Sequence, residues 1–235
     1  IELVLPQLPS KEIEPEDIPL DIIFEDDDIV IVNKQPDILV HPARGYTHGT
    51  MVNALAFYCN KLSTGIGELR PGVVHRLDKN TTGVMVFTKN DVAQWKIARQ
   101  FETRQVNKVY VAIVHGTPEL NADRIHAPLG VHPRIREKYA IRPEIGKEAI
   151  TFYEVTETFR GFSFLKLQPK TGRTHQIRVH LSYIKHPIVA DDMYGGKLVY
   201  PWQLRDAAPT AEDPIINRPA LHAHSIEFKH PSTNK

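Results

Sequence analysis

The chain has 235 residues, 41% of them hydrophobic and 24% charged, ordinary proportions for a globular protein and enough for one large domain or two small ones. No apolar run approaches the ~20 residues of a membrane-crossing helix, and Ile1-Glu2-Leu3-Val4-Leu5-Pro6 lacks the basic start and apolar core of a signal peptide. A single cysteine, Cys59, excludes an internal disulfide and a multi-cysteine zinc site and fits a reducing, cytoplasmic setting, while the net charge of +1 hides eleven carboxylates against two lysines in residues 1–40.

The remaining body, residues 41–235, is therefore strongly basic. That suits contact with a polyanion and equally a solvated surface of mixed charge. Residues 1–20 carry Pro6, Pro9, Pro15 and Pro19 among acidic side chains with no hydrophobic period, which predicts an extended linker. Phe24-Glu25-Asp26-Asp27-Asp28 reads as a turn, and the β-branched residues 29–34 as a strand. Thr50 predicts the cap of a helix with Met51, Leu55, Tyr58 and Leu62 recurring along it, broken by Gly65, Gly67, Pro71 and Gly72. Val73 and Val74 lead into a polar turn around Asp78, and a strand follows over 84–88.

Asn90 predicts the cap of a helix over 91–101 with Val92, Trp95, Ala98 and Phe101 on one side. Residues 108–114 alternate, with Tyr110, Ala112 and Val114 on one face and Val109, Val111 and Ile113 on the other. Residues 151–155 and 162–167 make a further pair of strands, and Thr174 caps a short helix that buries Ile177, Leu181 and Ile184. An excursion rich in Pro, Ala and Asp over 198–217 precedes a last strand at 224–228. Strands outnumber helices without alternating strictly with them, so the expected fold is α+β with a mixed sheet.

Three clusters carry the candidate chemistry. His75-Arg76-Leu77-Asp78-Lys79-Asn80-Thr81-Thr82-Gly83 places a carboxylate beside basic side chains just before a buried strand, where charge needs a reason. Asp78 reads either as a reactive carboxylate in a cleft or as a turn former accepting backbone N–H bonds. In the second cluster, 170–180, a helix starting near Thr174 puts His175 and Arg178 on one face opposite Ile177 and Leu181, with Arg173 at the helix N-terminus, where a phosphate would fit. One guanidinium from this cluster can pair with Asp78 and fix its rotamer. The plain alternative is an amphipathic helix with a solvated basic face. In the third cluster, Asn107-Lys108-Val109-Tyr110, Tyr110 shares its face with the small Ala112, which leaves room for a planar group on the ring; a tyrosine packed in a half-buried sheet is the competing reading.

His75-Arg76-Leu77-Asp78-x-x-Thr81-Thr82-Gly83, Lys108-x-Tyr110 and Thr171-Gly172-Arg173-Thr174-His175-Gln176-Ile177-Arg178-Val179-His180, in that order, resemble the three motifs of RluA-type pseudouridine synthases. Val32-Asn33-Lys34, His186-Pro187-Ile188-Val189-Ala190-Asp191, Tyr194-Gly195-Gly196 and Leu221-His222-Ala223 extend the resemblance over about residues 18–232, and its flavour is nearest the members that modify large-subunit ribosomal RNA. Two departures are small: Thr82 stands where serine is common, and Gln35 where a Lys-Pro is usual.

The resemblance implies a largely antiparallel mixed sheet with a central catalytic cleft and flanking helices. It also implies a catalytic domain over 21–235, with 1–20 the linker or remnant of an S4-like RNA-binding domain. The implied reaction breaks the N1–C1′ bond of an RNA uridine, turns the base and rejoins it through C5, with no cofactor and no metal. Asp78 takes the nucleophile's role, Arg178 pairs with it and Tyr110 stacks on the base. Arg76 fills the space of the flipped nucleotide, and Lys108, Arg173 and His175 contact RNA. Ribosomal RNA is the expected partner and transfer RNA the alternative, with a monomeric enzyme and no membrane. A nucleoside or glycoside hydrolase would need a second carboxyl, for which Asp191 and Asp192 are the candidates. A zinc hydrolase is disfavoured because His75, His175 and His180 lack HExxH spacing.

Overall fold

The acidic string ahead of residues 29–34 is a working turn. Asp26 Oδ1 accepts the N–H groups of Asp28 and Ile29, each at 2.9 Å, and so joins two antiparallel strands, β1 (Ile22–Glu25) and β2 (Ile29–Lys34). Phe24 and Glu25, expected in the turn, therefore belong to a strand: the Asx-type closure needs only Asp26 to Ile29. The structure is a computed structural model that describes residues 13–43, 46–59, 61–64, 70–205 and 207–234. Most of the expected linker, residues 1–12, lies outside the described residues. Residues 13–21 carry no helix or strand, with Ile13 and Leu20 packed on the core and the Glu16 N–H bonded to the Asn53 carbonyl.

The remaining elements follow as α1 (Met51–Tyr58), β3 (Thr82–Thr88), α2 (Asp91–Glu102), β4 (Asn107–His115), β5 (Ala122–His126), β6 (Leu129–Val131) and β7 (Tyr139–Ile141). They continue with β8 (Ile150–Phe159), β9 (Phe162–Pro169), α3 (Gln176–Tyr183), the single-turn α4 (Pro201–Leu204) and β10 (Leu221–Glu227). Eight strands form one sheet in the order β1-β2-β3-β10-β4-β9-β8-β5, with β6 and β7 a separate hairpin. Neighbours in the large sheet are antiparallel except β3 and β10, which run parallel. The α+β expectation holds.

Strand alternation sorts the core. Val30, Val32, Met85 and Phe87 pack with Met51, Val52 and Leu55 of α1, while Ala112, Val114, Leu165 and Leu167 pack with Ile177 and Leu181 of α3. Tyr110 touches both clusters and sits at their junction. The opposite face of β2 and β3 carries Ile29 and Val86, covered by Ile97 of α2.

Four local expectations are corrected. Helix α1 is capped by Thr50 as expected but ends at Cys59, so Leu62 is not on it and Tyr58 is exposed. Asn90 caps α2, yet Val92 and Trp95 are exposed and the buried residues are Ala93, Gln94 and Ile97. Gln94 is held inside by donating to the Val73 carbonyl, while the Trp95 ring lies beneath the Arg99 guanidinium. Helix α3 starts at Gln176 with His175, not Thr174, at the cap position. The last strand begins at Leu221, three residues before the expected 224, because Leu221 and Ala223 bury their side chains between β3 and β4.

Candidate active site

Asp78 lies in the turn between Val74 and β3, and that turn is held from inside the protein. Lys34, at the inward end of β2, is 1% exposed and donates to the carbonyls of Gln35 (2.9 Å), Lys79 (2.8 Å) and Thr81 (3.1 Å). Burial pushes its pKa down to about 8, an effect the nearby Asp78 charge opposes. The turn ends at Gly83, whose φ of +115° and lack of a side chain let β10 pass: a Cβ there would sit 2.2 Å from the Ala223 carbonyl oxygen.

Arg178 approaches Asp78 from α3. Its Nη1 donates to Asp78 Oδ2 at 3.1 Å, and its Nε and Nη2 donate to Asp191 Oδ2 (2.7 Å) and Oδ1 (2.8 Å). Burial works against the guanidinium's charge, but the bonds and charges of Asp191 and Asp78 outweigh it and raise the pKa. The ring of Tyr194 lies 4.9 Å from the guanidinium carbon.

His175 completes this side. It holds φ +55°, a left-handed conformation uncommon for a histidine, and its Nε2 stands 3.9 Å from Asp78 Oδ2. The Tyr194 hydroxyl accepts the Tyr139 N–H (2.9 Å) and shares a hydrogen bond with His175 Nδ1, 2.7 Å away. This contact leaves Nε2 as the ring nitrogen that faces Asp78. Burial lowers the His175 pKa and favours the neutral ring.

The floor is Tyr110, whose phenol stays protonated because burial, and then the Asp78 charge, raise its pKa. Beside it, burial pushes Lys108 down to about 8, with Lys170 adding to the effect. His75 is stacked on Phe101 at 4.7 Å, and its Nε2 accepts the Val86 N–H at 3.1 Å. Burial, followed by the Lys108 charge, takes its pKa to about 3.

Asp78, Tyr110, Arg178, Arg76, Lys108, Arg173 and His175 all line one cavity of about 520 Å³, a size that accepts a nucleotide-sized ligand. These seven candidate site residues thus meet in one place, whereas His180, Asp191 and Asp192 do not line it. The expected pairing of Asp78 with a guanidinium of the 170–180 cluster is made by Arg178. Arg173 is partly engaged, its Nε donating to the Glu148 carbonyl at 3.0 Å. Its backbone N–H, like the Thr171 hydroxyl, bonds the Gln176 side chain, which anchors the start of α3. His180 is structural, with its ring nitrogens on Thr151 Oγ1 and the Ala127 carbonyl, each at 2.9 Å. Among the described residues no group of three or more His, Cys, Asp or Glu side chains is arranged to hold a metal ion.

Two residues that hold the site in place were given no such part in the sequence reading. Lys34 continues the inward alternation of Val30 and Val32, and a lysine in that register is the signal that could have marked it. Asp191, considered there as a second reactive carboxyl, is 0% exposed and wholly engaged by Arg178, while Asp192 is not in the cavity lining.

A Lys/Arg-rimmed cavity with the Asp78 carboxylate against a guanidinium and a phenol floor is the geometry that the three motifs pointed to. The family model for RNA pseudouridylate synthase matches residues 28–183, which include Asp78, Tyr110 and Arg178. The chain belongs to the RNA pseudouridylate synthase family. It is 42% identical over 223 residues to the ribosomal large subunit pseudouridine synthase D of Vibrio vulnificus, covering 94% of this chain and 66% of that protein. With the Pasteurella multocida protein of the same name it shares 40% identity over 237 residues, covering 100% of this chain and 71% of that protein. It thus spans about two-thirds of these relatives' length. Among solved structures, human RNA pseudouridylate synthase domain containing 1 superposes with a TM-score of 0.67 at 25% identity, covering 97% of this chain and 83% of that one. Human RNA pseudouridylate synthase domain containing 4 gives 0.66 at 26%, covering 88% and 83%. The pseudouridine synthase fold is therefore shared along nearly the whole chain.

Proposed function

We propose that this chain converts uridine to pseudouridine in RNA, with large-subunit ribosomal RNA as the substrate and Asp78 as the group that meets the reacting nucleotide. The observation that carries this reading is the Asp78 carboxylate, partly open to the cavity and touched on one oxygen by Arg178, in a chain that belongs to this family. The names of the Vibrio and Pasteurella relatives support ribosomal RNA over transfer RNA.

The chemistry follows from what lines the cavity. A uridine inside a helix cannot reach Asp78, so the nucleotide is extruded, at a cost of a few kcal/mol. Arg76, exposed at the rim, takes the vacated place, and the Tyr110 ring stacks on the extruded base for about 1–3 kcal/mol. Lys108 and Arg173 hold flanking phosphates, and His175 contacts the RNA with its Nε2 edge beside Asp78. The N1–C1′ bond breaks, the base turns, the C5–C1′ bond forms, and the C5 proton is lost as N1 gains one. Nothing is added from outside, so no cofactor is required. The enzyme works as a monomer in the cytoplasm; among the described residues no helix is long and apolar enough to cross a membrane.

The test is Asp78→Asn and Asp78→Ala on ribosomal RNA lacking the modification. Both variants should fold and bind RNA, and neither should form pseudouridine. Substantial product from Asp78→Ala would refute the assignment. Release of free uracil by the unaltered protein would instead reveal a hydrolase.

A further inference from the structure

Asp191 belongs to a turn that reaches the active site without lining it. Three features show that this turn is tightly specified. Ala190 adopts φ +60°. The N–H groups of Tyr194 and Gly196 both bond the Asp191 carbonyl, at 3.0 and 2.7 Å. A Cβ on Gly196 would fall 1.7 Å from the Ile188 carbonyl oxygen. A strained residue and a glycine with no room for a side chain persist where the surroundings fix the backbone. The result is a fully buried carboxylate on the Nε–Nη2 edge of Arg178, with the Tyr194 ring against the same guanidinium.

Left to itself, a guanidinium facing one carboxylate favours two parallel bonds. Here the two-point grip is given to Asp191, and Asp78 receives a single bond, from Nη1 to Oδ2. Among the described residues Asp78 Oδ1 has no hydrogen-bond partner. We infer that Asp191 is a positioning residue: it fixes the plane of Arg178 so that the guanidinium engages one oxygen of Asp78 and leaves Oδ1 unencumbered for the target nucleotide. Asp191 touches neither substrate nor the reacting atoms and acts through Arg178 alone. The inference rests on Asp78 being the reacting group.

Asp191→Asn keeps the size and removes the charge and one acceptor. A misplacement of about 1 Å costs on the order of 10²-fold in rate, so single-turnover pseudouridine formation by D191N should fall about that much, with RNA affinity within about twofold of the unaltered protein. In an Arg178→Lys background D191N should cause little further loss, because the residue it orients is gone. Full activity of D191N, or losses that multiply in the double variant, would overturn the inference. Should D191N not fold, the unaltered protein still decides: Arg178 should give separate, slowly exchanging Nη proton signals in ¹⁵N-resolved spectra, and one averaged signal would overturn it. Activity retained by Asp78→Asn would instead remove the reading on which the inference stands.

Discussion

Lys34 shows what a buried charge does when its partners are backbone carbonyls. Its ammonium ties β2 to the turn that carries Asp78, and three carbonyls depend on it. Lys34→Met would leave those acceptors without a donor; each unsatisfied buried group costs about 1–3 kcal/mol, so the variant should lose roughly 3 kcal/mol or more in urea denaturation. Because the folded pKa is lowered to about 8 from an ordinary 10.5, the unfolded chain binds the extra proton between those values. This lysine's contribution to stability therefore rises as pH climbs from about 8 to 10.5, and Lys34→Met should remove that slope. Asp78 and Tyr110 were legible in the sequence because each is a polar or aromatic group in a place where burial demands a reason, whereas Arg178 was singled out from its cluster only by the family resemblance. Asp191 was legible as an acid but not in its role, since nothing along the chain shows that a residue 13 positions past Arg178 turns back onto it.

Among the elements, β3 and β10 set the tightest constraint. The parallel pairing of Gly83 with Ala223 brings the two backbones so close that any side chain at 83 would collide with the neighbouring strand. Gly83→Ala should therefore open the sheet next to the catalytic turn, lowering the melting temperature and abolishing activity together, as a thermal melt and a pseudouridine assay on one sample would show. Elements with long periodic patterns, such as β4 and β9, were readable from sequence. The three-residue β6 and β7 were not, because too few residues exist to show a period; their order comes from Leu129, Tyr139 and Ile141 packing with Val179 of α3. Helix α2 was found but turned the wrong way, since hydrophobicity favours Val92 and Trp95 whereas close approach favours Ala93 and Ile97.

For the whole molecule, the charge asymmetry resolves into two territories. Much of the acidic segment is paired internally, Glu25 with Lys89 and Asp26 with His230, each at 2.8 Å. The cavity lining gathers Arg76, Arg104, Lys108, Lys170, Arg173 and Arg178 against Asp78 and Glu102. RNA affinity should fall linearly with the logarithm of salt, with a slope of about −2 if three cations contact phosphates. Lys108→Met should make the slope shallower by about 0.7. Since the Lys108 pKa is about 8 in the free protein, affinity should weaken as pH rises through that value, and titrations of Lys108→Met should not show this.

The position of β10 governs whether any of this can exist. Asp78 belongs to the half-sheet β1–β3 and Arg178 to the half built on β4, β8 and β9, and the seam between them is filled by residues 221–227. Among the described residues no strand of one half pairs directly with a strand of the other, so the alignment of Asp78 with Arg178 across the sheet passes through that single segment.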